Sequence, residues 1–158
     1  VPTDSKRKTA MENTVTILRG ITAGSTYFRT LSLGEAATMR SIGRSEMMEM
    51  GTSFAWVHAG NEDIARHEVS PGTLMQGQFV ILIDLIVADE TTETLVQELE
   101  DLLHDVSLAL GSNRTLSGAV VDSRISLIEP PTYSFEQMWA GTTVHLECIY
   151  DFNYGSEI

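Results

Sequence analysis

Cysteine is almost absent. Cys148 stands alone among 158 residues, which excludes an intramolecular disulfide and any multi-cysteine zinc site and makes a reducing compartment the natural reading. Long apolar runs are missing too. The longest unbroken one, Phe79 to Ile83, is about a quarter of the ~20 residues a bilayer-crossing helix requires. No apolar segment of signal-peptide type follows the N-terminus, so the expectation is a chain made and kept in the cytoplasm, or in something assembled there. Positive charge is scarce as well. Ten Lys and Arg face 22 Asp and Glu, a net charge of −12, which argues against a general nucleic-acid binder and against attraction to anionic membranes. The deficit is uneven: residues 1–88 hold 8 basic and 9 acidic groups, whereas residues 89–158 hold 2 and 13. The second half must therefore present a strongly electronegative surface that repels a like-charged polymer.

What is there fits a single domain of ordinary size, able to bury roughly 70% of its extended surface. Residues 1–9 mix Pro2, Asp4, Lys6, Arg7 and Lys8 without apolar pattern and read as a flexible, solvated arm, leaving 10–158 as the domain. Met11, Val15 and Leu18 recur at helical spacing up to Gly20. Residues 25–33 favour extended structure, and a weaker extended piece is expected near Met39 to Ile42. Ser53 to His58 reads as a strand buried on both sides. Gln78 to Val87 is the strongest strand, interrupted only by Asp84. Between them, Ala59 to Gly77 reads as a long polar loop with a Pro71-Gly72 turn, expected to be mobile until it docks on a neighbour.

Leu95, Leu99, Leu102, Leu103, Val106 and Leu110 form one stripe of a second helix. Asp89, Glu90 and Glu93 sit at its positive end, and Gly111 is placed as its C-terminal cap. Two strands follow, within Ala119 to Ile128 and Thr142 to Phe152, joined by an aromatic connection that opens on Pro130-Pro131. The pattern implies an α+β fold: a mostly antiparallel sheet of five or six strands with two helices packed on one face.

Chemistry-bearing motifs are few. No phosphate-cradling glycine loop, nucleophile elbow or paired-histidine zinc motif occurs, so an enzyme is the less favoured class, and neither a cofactor nor a metal is expected. His58, Glu62, Asp63 and His67 cluster ligand types within ten residues, but on an expected loop nothing fixes their geometry, and a solvated polar loop is the plainer reading. Asp84 could act as a general base within its apolar strand. A cross-strand ion pair with Arg124, within the sheet or between subunits, is the simpler expectation. His104 reads as a surface residue complementing the helix dipole, and Cys148 as buried and inert. Met47, Met48 and Met50, together with Tyr133, Phe135, Met138 and Trp139, supply contact area in connecting segments and are candidates for a subunit interface, with core packing as the alternative.

One segment carries a resemblance. Leu102-Leu103-His104-Asp105-Val106, then Leu108-Ala109-Leu110, then Asn113-Arg114-Thr115-Leu116-Ser117-Gly118-Ala119 is similar to the helix-turn-strand piece of the tail terminator (tail completion) proteins of tailed bacteriophages. There an acidic-aliphatic pair on the helix precedes a short aliphatic run and a turn reading roughly Asp-Arg-Thr-Leu-Gly-Gly. This chain departs from that turn at Asn113 and Ser117. The first helix leading into Ile21 to Leu33, and the pair Ile149-Tyr150 near the end, are similar too. The resemblance spans about residues 12–152, and the turn residues Asp105, Asn113, Arg114, Thr115, Leu116 and Gly118 would be structural, not catalytic.

The resemblance implies a non-enzymatic virion protein of the tail or neck, assembled in the host cytoplasm. It would form a ring, expected to be a hexamer, that caps the tail tube, ends tube polymerisation and joins the tail to a head-completion or neck protein. Its partners would be itself, the tail tube protein, the neck protein and genomic DNA in transit through the lumen, with no membrane. Six copies at −12 each carry −72, and acidic groups of the second half are expected to line or face the channel. Another neck or tail-tube ring component is the nearest alternative, and a small cytoplasmic enzyme a more distant one.

Overall fold

The structure, a computed structural model, describes residues 5–34, 53–70, 74–88 and 92–153, with the side chains of residues 63–70, 74, 92, 93 and 153 left aside. Helix α1 (Lys6–Arg19) starts earlier than the sequence pattern suggests, inside the expected arm. Ser5 caps it: its Oγ accepts from the Lys8 N–H at 3.2 Å, an N-cap signal that the run of cations behind it obscures. Ala10, Thr14 and Leu18 form its buried stripe, and the Thr14 hydroxyl donates to the Ala10 carbonyl at 2.7 Å, satisfying a group that would otherwise be orphaned.

After α1 the chain turns through residues 21–31, and only β1 (Ser32–Leu33) is strand. The extended segment expected over residues 25–33 is thus confined to its last two. Met39 to Ile42 lies outside the described residues.

Strands β2 (Ser53–Ser70) and β3 (Leu74–Ala88) form a long antiparallel pair, from Ser53 opposite Val87 to Ser70 opposite Leu74. The mobile loop expected over Ala59 to Gly77 is therefore strand up to Ser70 and again from Leu74, and the expected Pro71-Gly72 turn lies outside the described residues. Register shifts at Ala59/Glu62, Asp63/His67 and Glu68/Ser70 break the alternation that would have revealed the strand. Helix α2 (Thr92–Gly111) carries the leucine stripe as expected, with Leu95, Leu99, Leu102 and Val106 fully buried. Gly111 is its last residue but does not take the left-handed conformation. That falls to Leu116, Ser117 and Gly118 in the turn beyond. Strands β4 (Asp122–Ile128), β5 (Thr132–Ser134) and β6 (Trp139–Asn153) complete a six-stranded sheet of order β1-β2-β3-β6-β4, with β5 also on β6. Only β1 runs parallel to its neighbour.

The core lies between the helices and one face of this sheet. Phe79, Ile81, Ile83, Leu85 and Val87 from β3 and Val144, Leu146, Cys148 and Tyr150 from β6 meet the stripes of α1 and α2. At about 1.5–3 kcal/mol per fully buried large apolar side chain, this layer dominates the favourable side of folding. Gly77 is part of the fit: a Cβ there would come within 2.7 Å of Tyr150 Cε1 and closer still to Cζ. The α+β architecture, two helices on one face of a mostly antiparallel sheet, agrees with the sequence pattern.

Candidate functional site

Alternation sends Trp56, Val80, Leu82, Asp84, Ile86, Thr143, His145, Glu147 and Ile149 to the sheet face opposite the helices, where all are only partly buried. Among the described residues no helix covers this face. At one end of it the connection after β4 folds over, and Trp56, Asp84, Ile86, Glu129, Pro130 and Trp139 line an open groove of about 300 Å³. Gly141 forms part of its floor; a Cβ there would meet the Leu85 carbonyl oxygen at 3.0 Å.

Two imidazole-carboxylate pairs mark the groove. His58 Nε2 lies 2.7 Å from Asp84 Oδ2, while the Thr143 hydroxyl donates to Asp84 Oδ1. His145 Nε2 lies 2.8 Å from Glu129 Oε2. In the first network the carboxylate stands between hydroxyl and imidazole. The Thr143 hydroxyl therefore donates to Asp84 and not to His58.

The expected Asp84 to Arg124 ion pair does not form within the sheet of one chain. Strand β6 lies between β3 and β4, so Arg124 faces Glu147 instead, at 3.0 Å, and Asp84 takes His58 and Thr143. The His58 to His67 ligand cluster is also divided. Gly60 and Asn61 form the bulge that places His58 opposite Leu82 on the open face and Glu62 opposite Phe79 on the helix-covered face. There Glu62 accepts from the Tyr150 hydroxyl at 3.1 Å and pairs with Arg7 at 3.2 Å. The side chains of Asp63 and His67 are outside the description, and among the described residues no group of three or more metal-ligand side chains converges.

Most of the turn residues singled out by the resemblance make contacts of their own with the surrounding chain. Asp105 is fully buried and accepts from the backbone N–H of Phe28 at 3.0 Å and of Arg29 at 2.8 Å, tying α2 to the segment after α1. Asn113 Nδ2 donates to the Ala109 carbonyl at 2.8 Å. Arg114 forks onto Asp122, Nε to Oδ1 at 2.8 Å and Nη2 to Oδ2 at 2.5 Å, and the guanidinium holds the Asp122 carboxyl below its ordinary range. The Thr115 carbonyl accepts from Gly118 and Val120, and Leu116 is fully buried. His104 is exposed, with the Phe28 ring edge-on to it.

Of the candidate interface residues, Met47, Met48 and Met50 lie outside the described residues. Tyr133 and Phe135 stack with ring centroids 5.6 Å apart, and Phe135 is 49% exposed. Met138 occupies a left-handed turn position, and Trp139, whose Nε1–H donates to Gln137, opens β6 and walls the groove. Sequence reasoning missed Trp56, Glu129 and Pro130 as groove residues, and His145 as the partner of Glu129. Their signal was their parity on the strands and the Pro130-Pro131 start of the connection, but only the strand order shows that these parities share one face.

Compared with models of known protein families and with curated proteins, the sequence matches none.

Proposed function

We propose that this chain is a structural subunit of a tailed-phage virion, a tail terminator that assembles as a ring, caps the tail tube and offers a surface to the neck. The observation that carries this reading is the open sheet face: a helix-backed sheet leaves Trp56, Val80, Leu82, Ile86 and Ile149 partly exposed on one side, interleaved with Asp84, Thr143, His145 and Glu147, and an uncovered face that mixes apolar and polar side chains suits a protein interface. The resemblance of residues 102–119 supplies the family. Charge is consistent with DNA as cargo. Residues 89–158 hold 13 acidic groups against 2 basic ones, so a lumen faced by this half would let a duplex pass without retaining it.

The test is native mass spectrometry and negative-stain imaging of the purified chain, alone and with phage tail tubes. Rings, expected to be hexamers, seated at tube ends and halting tube growth support the reading. Incorporation along the tube would favour a different tube or neck component. A stable monomer that leaves tubes growing would overturn the proposal.

A further inference from the structure

The groove carries an unusual charge pattern. Asp84 and Glu129, the two carboxylates that line it, are partnered by imidazoles at 2.7 and 2.8 Å and, among the described residues, by no guanidinium. With histidine counted as neutral, the groove brings two negative charges together with two indoles, those of Trp56 and Trp139. A planar guanidinium is the group that suits such a place, because it can fork onto carboxylates and lie on an aromatic face at once.

The chain itself presents one. Of the arginines with described side chains, Arg7 sits on Glu62, Arg29 on Glu98, Arg114 on Asp122 and Arg124 on Glu147. Arg19, exposed at the last turn of α1, has no carboxylate partner among the described residues. Helix α1 packs on the covered side of the sheet, opposite the groove, so Arg19 cannot serve the groove of its own protomer. It is free to serve that of another copy. A contact between two different patches is heterologous, and repeated by a rotation that closes it gives a ring.

We propose that Arg19 of one protomer docks in the Trp56–Trp139 groove of the next, against Asp84 and Glu129, and that this head-to-tail contact builds the ring. The proposal rests on the ring reading above and names its junction. Arg19→Glu and Glu129→Lys, each in the full chain and checked for folding by circular dichroism, are compared with the wild type by sedimentation velocity and native mass spectrometry. Each alone is expected to cut the ring population about tenfold or more. An equimolar mixture of the two should restore rings of alternating copies, because every junction in such a ring again joins opposite charges. Should Glu129→Lys fail to fold, Trp56→Ala probes the same groove, with the same loss expected.

If the wild type forms rings and both single variants form them equally well, the junction is overturned while the ring reading stands. If the wild type stays monomeric at every concentration and beside tail tubes, both fail.

Discussion

Ser117 is held at φ +59° between Leu116 at +49° and Gly118 at +87°, a left-handed run that turns the chain from α2 toward β4. Leu116 is anchored there, since its side chain is fully buried and its carbonyl accepts from Asn13 Nδ2 at 2.8 Å. Ser117 is exposed and carries the left-handed cost, about 1–2 kcal/mol for a residue with a Cβ, without compensation. Ser117→Gly should therefore raise stability by about 0.5–1 kcal/mol once the added freedom of the unfolded glycine is subtracted, read as a higher urea midpoint. Leu116→Ala should lower stability by about 2–5 kcal/mol, because it opens a cavity where the serine change opens none. Opposite signs thus separate two neighbours that share one backbone conformation, one exposed and one buried.

Two buried acids set the alkaline limit. Burial pushes the Cys148 thiol from its ordinary 9.0 up to about 12, aided by the charge of Glu147. Tyr150 rises from 10.0 to about 12 for the same first reason, with the charge of Glu62 and its hydrogen bond adding to it and Arg7 opposing it. The folded chain thus holds both protons more tightly than the unfolded one, so their contribution is whole below about pH 9 and is lost as pH climbs toward 12. Unfolding midpoints should fall across that window. At pH 8, Cys148 should react with a thiol reagent only after urea unfolds the chain; rapid stoichiometric labelling of the native protein would contradict its burial.

At the scale of elements, Asp105 links α2 to the turn after α1, beside the Arg29–Glu98 ion pair. Asp105→Ala would leave the N–H groups of Phe28 and Arg29 without acceptors in a part-buried place, a loss of about 1–3 kcal/mol. Hydrogen exchange should then accelerate at those two amides and leave β3, paired along both edges, protected. Equal acceleration in β3 would mean that the link is global.

Helix α2 and strands β3 and β6 were legible in the sequence because one stripe or one parity of each is almost wholly apolar. The outer half of β2 was not, because its bulges break the period and its residues are polar. The Arg124 pairing failed for another reason. Strand order is a long-range property, and nothing local in either strand says that β6 lies between them. The groove was hidden likewise, since its walls come from β2, β6 and the connection after β4, segments more than seventy residues apart at their extremes.

For the whole molecule, net charge is the property most directly coupled to the proposed role. At −12 per chain, with Arg114 and Arg124 the only cations after residue 88 and both already on carboxylates, the second half has no described cation left to offer a phosphate. Binding of duplex DNA grows as salt is lowered, because each Lys or Arg that neutralises a phosphate releases a counterion, and a surface with none to spare has nothing to release. Assembled rings should accordingly leave the electrophoretic mobility of a duplex unchanged even at about 20 mM salt, where screening is weakest and any hidden basic stripe would show most strongly. Retention that weakened steeply with added salt would require cations gathered from residues 1–88 to face the lumen. The acidic half would then have to face outward, which would reverse the orientation assigned to each subunit in the ring.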